Sequence, residues 1–211
     1  MINNLELIKP LLKFESEDDF YYLQILKRKK DQTPEENALG RNNNARTIKN
    51  YYINSVEYLE NKMPEIIKLC EVFNARASLR LNKRSYKNVG FRTLQKITGT
   101  MANGDYSHLR NTYSKACGTG HNAGKDKTWI VDIDAEDVIW LEQIVNAIAP
   151  CEPKGNKILL KLPTKSGIHL ITKPFNLMEF KENFKNELVE YQIGERNIDI
   201  HKDNPVNLYI P

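Results

Sequence analysis

Read by the spacing of its apolar residues, the chain divides into short strands and amphipathic helices. Residues 20 to 28 alternate as a strand does and run into Lys27-Arg28-Lys29-Lys30. Residues 33 to 50 are rich in Asn and bounded by Pro34 and Gly40, which predicts a mobile loop. Over 52 to 72, Ile53, Val56, Leu59, Met63, Ile66 and Leu69 form a helical stripe, interrupted or restarted at Pro64. Ala75 to Leu81 then alternates apolar residues with Arg76, Ser78 and Arg80, a strand whose polar face is basic. Residues 86 to 102 and 105 to 116 read as helices separated by Asn103-Gly104. From there the order is a strand over 128 to 134, a helix over 136 to 148, a hairpin over 157 to 173, a helix over 176 to 190 and final strands.

This alternation predicts an α/β (α+β) protein in two subdomains, an N-terminal α/β part over 1–125 and a second over 126–211. The second has the outline of an RNA-recognition-motif-like layer, with helices on one sheet face and the other face open. At 211 residues and 40% hydrophobic content the chain can bury a sizeable core. No apolar run approaches the length of a membrane span, and Met1 to Pro10 lacks the pattern of a signal peptide, so a cytoplasmic protein is expected. Cys70, Cys117 and Cys151 are scattered, which suggests neither a disulfide framework nor a zinc site, and Cys117 with His121 is too little for a metal centre.

The chemistry concentrates in the second half. Trp129-Ile130-Val131-Asp132-Ile133-Asp134 reads as a buried strand that delivers Asp132 and Asp134 to the same side. Such a pair either holds a divalent cation, Mg²⁺ or Mn²⁺ by its oxygen ligands, or opens the loop before the next helix. Ile158 to Leu162 is a strand, Pro163-Thr164-Lys165-Ser166-Gly167 a small hydroxyl-rich turn, and His169 stands at the start of the returning strand. Lys165, Ser166, His169 and exposed amides together suit a triphosphate. Asp199, in the alternating Asn197-Ile198-Asp199-Ile200-His201, is a third metal ligand or an edge residue facing water.

In this order the motifs resemble the archaeo-eukaryotic primase superfamily, and within it the primase–polymerase branch of phages and plasmids. Asp132-Ile133-Asp134 is similar to its D-x-D motif, Ser166-Gly167-Ile168-His169 to its small-x-His motif, and Ile198-Asp199 to its apolar-Asp motif. The resemblance covers about the last ninety residues and rests on order and strand context, since each motif is short. It implies a primase-like catalytic core in which Asp132, Asp134 and Asp199 are catalytic and hold Mg²⁺ or Mn²⁺. His169, Ser166 and Lys165 would contact nucleotide phosphates, and Gly167 would fill the small position. The function implied is a DNA primase or primase–polymerase, a template-dependent nucleotidyltransferase that joins nucleoside triphosphates on single-stranded DNA by two-metal phosphoryl transfer. There is no zinc motif and no Walker A segment, which implies a separate helicase as partner. The close of the chain at Tyr209-Ile210-Pro211 is also what a piece of a longer protein would show.

Charge supports a polyphosphate partner. The formal charge is +4, and from Val72 to Gly104 there is no acidic residue. Within that segment Arg80 is expected to grip nucleotide or template, and Arg76, Lys83 and Arg84 to line a nucleic-acid groove. Tyr51, Tyr52 and Tyr86 are candidates for base stacking, and the loop over 33 to 50 for closing on the strand. A solvated basic surface is the plainer reading of the same residues. Two other functions share these features, a non-catalytic nucleic-acid-binding protein derived from a primase and a D-x-D glycosyltransferase. The second has no evident use for the basic segment.

Overall fold

The structure, a computed structural model, describes residues 1–33, 45–119, 126–134, 140–190 and 198–211. The first part of the chain supplies β1 (Ile2–Asn3), α1 (Leu5–Ile8), β2 (Asp19–Lys27), β3 (Arg46–Ile53), α2 (Val56–Phe73), β4 (Arg76–Arg80), β5 (Arg84–Ser85), α3 (Tyr86–Ala102) and α4 (Thr112–Cys117). Then follow β6 (Trp129–Asp134), α5 (Leu141–Ile148), β7 (Ile158–Thr164), β8 (Gly167–Thr172), α6 (Leu177–Glu190), β9 (Asp199–His201) and β10 (Pro205–Ile210). They form two compact units, Met1–Lys125 with Pro205–Pro211, and Asp126–Asn204.

The first unit is built on an antiparallel sheet in the order β1-β10-β4-β2-β3, with β5 paired to β2. Helix α2 covers one face. Ser55 caps its start by accepting from the Tyr58 amide at 2.9 Å, and Asn74 ends it in the left-handed conformation. Its buried residues Leu59, Met63, Ile66 and Cys70 recur at helical spacing, and the helix runs through Pro64 without stopping. Tyr51 on β3 and Tyr209 on β10 point to this helix, donating their hydroxyls to Glu65 and Glu71.

The second unit runs β6-α5-β7-β8-α6-β9, with the antiparallel sheet in the order β7-β8-β6-β9. This is a split β-α-β arrangement, in which the first and third strands of the unit lie side by side at its centre. Val131, Ile133 and Leu170 meet Ile144, Ile148, Phe180 and Phe184 of α5 and α6 in one apolar cluster, so the helices cover a single face.

Several expectations change. The expected loop over 33 to 50 gives way at Arg46 to β3, whose residues find partners in β2; 34–44 lie outside the described residues. The expected helix over 105 to 116 is the shorter α4, preceded by a turn at Leu109–Asn111. The expected helix over 136 to 148 is described from Leu141, as 135–139 lie outside the described residues. His121 lies outside them too. Most consequential, β10 does not belong to the second subdomain: its backbone pairs with β1 and β4 of the first.

Candidate functional site

Register decides what shares a face, because residues directly opposite in an antiparallel pair point to the same side. On β6, Asp132 stands opposite His169 of β8 and opposite Asp199 of β9. Asp134, two residues along β6, stands opposite Gly167. His169, Asp132 and Asp199 therefore form one row across three strands, with Asp134 beside it, all on the face turned from α5 and α6.

The row is graded in exposure. His169 has 11% of its side chain exposed and Asp132 41%, with Nε2 of the histidine 3.3 Å from Oδ1 of the aspartate. Asp134 and Asp199 are exposed. Nδ1 of His169 is buried and has no hydrogen-bond partner among the described residues. The face is only partly open, contrary to expectation, since Ile130, Leu162 and Ile171 on it are buried.

Lys165 and Ser166 form the two-residue tip of the β7–β8 hairpin, both exposed, with Thr164 paired to Gly167 at its base. Gly167 lies hard against β6. A Cβ there would overlap the Ile133 carbonyl oxygen and come within 2.9 Å of Asp134 Cα. Only glycine lets this hairpin reach the strand that carries the aspartates.

Among the described residues, no three His, Cys, Asp or Glu side chains close around a point that a cation could occupy. By strand geometry the Cα atoms of Asp132 and Asp199 lie about 5 Å apart and those of Asp132 and Asp134 about 7 Å, while Asp134 and Asp199 stand on a diagonal of about 8 Å. The donor set is three carboxylates on one face beside an imidazole. Hard oxygen ligands of this kind fit Mg²⁺ or Mn²⁺.

The basic residues of the first unit separate into two groups. Arg76 is 4% exposed and donates from Nε to Asp31 at 2.8 Å. Lys83 is enclosed with Asp19, Nζ to Oδ2 2.9 Å, and also reaches Glu15. Arg84 is wholly buried, donating to the main-chain oxygens of Cys117 and Asn82 at 2.8 Å. The expected groove lining by Arg76, Lys83 and Arg84 is thereby corrected, because a side chain enclosed with its own partners presents no charge to a phosphate. Arg80 is half-buried, while Lys87 and Arg92 on α3 are exposed.

The aromatic candidates are likewise structural. Tyr51 is buried, Tyr86 stacks on Phe20 with centroids 4.3 Å apart, and Tyr52 lies against Phe20, Tyr22 and Tyr113. Sequence reasoning missed His201, which stands opposite Ile130 on the aspartate face. Its two-residue spacing from Asp199 is the signal that finds it. No protein-family model, curated protein or solved structure matches this chain.

Proposed function

We propose that the chain is a nucleotidyltransferase of the primase–polymerase kind, with a primase-like core, joining nucleoside triphosphates on single-stranded DNA in phage or plasmid replication. The row of His169, Asp132 and Asp199 with Asp134 beside it carries this reading. That arrangement puts three carboxylates and a phosphate-competent imidazole on the helix-free face of a split β-α-β sheet.

A pair of Mg²⁺ or Mn²⁺ ions at Asp132, Asp134 and Asp199 would lower the pKa of an attacking 3′-hydroxyl and neutralise charge on the leaving pyrophosphate. The chain itself supplies position. Lys165 and Ser166 offer an ammonium and a hydroxyl to phosphate oxygens from the hairpin tip, and Gly167 keeps that tip against β6. Nε2 of His169 faces Asp132, which sets the imidazole at the edge of the carboxylate row where a phosphate would lie. Arg80 is the cation of β4 that keeps some exposure, and a separate helicase would supply the single strand.

Primer synthesis and extension on single-stranded templates, with labelled nucleotides and either cation, test the reading. The Asp132→Ala, Asp134→Ala double variant should lose incorporation by about 100-fold or more, with thermal midpoint and single-strand affinity unchanged. Full activity in that variant would rule the mechanism out.

A further inference from the structure

Helix α3 packs one side and leaves the other in water. Val89 and Thr93 are buried on the inner side, Val89 in a cluster with Phe20 and Tyr22. On the outer side Lys87, Phe91, Leu94, Thr98 and Met101 follow at intervals of four, three, four and three residues, all exposed. That spacing keeps them in one stripe, about 21 Å long. Phe91 is 64% exposed, and Tyr106, just past the helix end, 63%. These are the most exposed aromatic rings among the described residues. The Gly104 and Asp105 amides donate to the Met101 and Thr100 carbonyls at 3.0 Å, which holds the turn before Tyr106 against the end of the helix.

Large apolar side chains gathered on one exposed face mark a surface that something else covers. Charge narrows what that is. Helix α3 carries Lys87, Arg92 and Lys96 and no acid. Asp18 at its start is engaged by the Ser85 hydroxyl and the Lys87 amide, and Asp105 beyond its end by the Ser107 amide and hydroxyl. The Arg92 guanidinium donates to the neutral Gln95 at 3.3 Å and keeps its charge uncompensated there. A second copy of the chain would set these cations against themselves. A polyanion with flat apolar faces of its own answers both the charge and the rings.

We propose that the outer face of α3 with Tyr106 is a stacking platform for single-stranded nucleic acid. Phe91 and Tyr106 lie against bases, Leu94 and Met101 fill the apolar surface between them, and Lys87 and Arg92 hold phosphates. Stacking accepts every base, because each has a flat apolar face, so the platform reads no sequence. The proposal rests on the nucleotidyltransferase reading for the presence of a strand, but on residues of the other unit that take no part in the chemistry.

Anisotropy titration of the whole chain with a labelled single strand, an abasic strand of the same length and poly-glutamate of the same charge tests it. Phe91→Ala with Tyr106→Ala should weaken binding of the base-bearing strand by about tenfold or more. The abasic strand and the salt slope should stay as they were, because neither ring neutralises a phosphate. Should the double variant fail to fold by circular dichroism, Phe91→Trp keeps a ring in place, and its added fluorescence should be quenched by the base-bearing strand alone. Full affinity in the folded alanine variant, an equal loss on both strands, or an unquenched Phe91→Trp would overturn the platform. Equal affinity for poly-glutamate would give the face to an acidic protein instead, and a wild-type dimer in sedimentation that the alanine variant abolishes would give it to a second copy. Ring-dependent binding without any nucleotide incorporation would sink the nucleotidyl transfer and leave the platform standing.

Discussion

Asp19 and Lys83 show how a charge in a strand-rich sequence can belong to the core. Burial pushes the Asp19 carboxyl up, but hydrogen bonds from the Glu15 amide, from Lys83 and from the Ser16 amide outweigh it and hold the pKa below the usual 3.8. Burial pulls Lys83 down, and its bonds to Glu15 and Asp19 more than reverse this, leaving it above 10.5. A depressed carboxyl contributes stability that is present above its unfolded pKa of about 3.9 and is lost as pH falls through the folded value. A raised ammonium contributes stability that is present below its unfolded pKa of about 10.4 and is lost as pH rises through the folded value. Urea midpoints across pH should therefore hold steady between these limits and fall outside both. Asp19→Asn should shrink the acid limb and lower stability at neutral pH by about 1–3 kcal/mol, since Lys83 then keeps Glu15 as its one carboxylate partner among the described residues.

At the scale of elements, the β7–β8 hairpin sets the distance between its tip and β6. Gly167→Ala should force β8 away at the Asp134–Gly167 pair and cost about 1–3 kcal/mol. Denaturant unfolding should show the loss, and amide exchange should quicken at Ile133 and Asp134, whereas Ser166→Ala at the exposed tip should change neither. Local periods made much of this visible in advance. Alternation in 128 to 134 placed Asp132 and Asp134 on one side of a strand, and the turn at 163–167 placed His169 at the start of the returning strand. What the period of a segment does not contain is its distant partner. Arg76 owes its burial to Asp31, 45 positions away, and Lys83 to Asp19, 64 away. The strand β10 alternates like any other, and nothing within 205–210 announces which sheet it will join.

For the whole molecule, burial redistributes the basic charge of the acid-free segment. With Arg76, Lys83 and Arg84 enclosed, the exposed cations Lys87 and Arg92 on α3 are left to meet phosphates. Single-strand affinity should fall with salt on a log–log plot, and Lys87→Ala with Arg92→Ala should make that slope shallower by about 1.4, or about 0.7 for each phosphate no longer neutralised. A slope unchanged in that variant would remove α3 from the binding surface. The path of the chain has a consequence for synthesis as well. Residues 126–204 are contiguous and can close as soon as they leave the ribosome, whereas the first sheet waits for β10 to enter between β1 and β4. Until residues 205–210 arrive, β4, Arg76-Ala77-Ser78-Leu79-Arg80, is an open edge, and a nascent neighbour could pair there before β10 does.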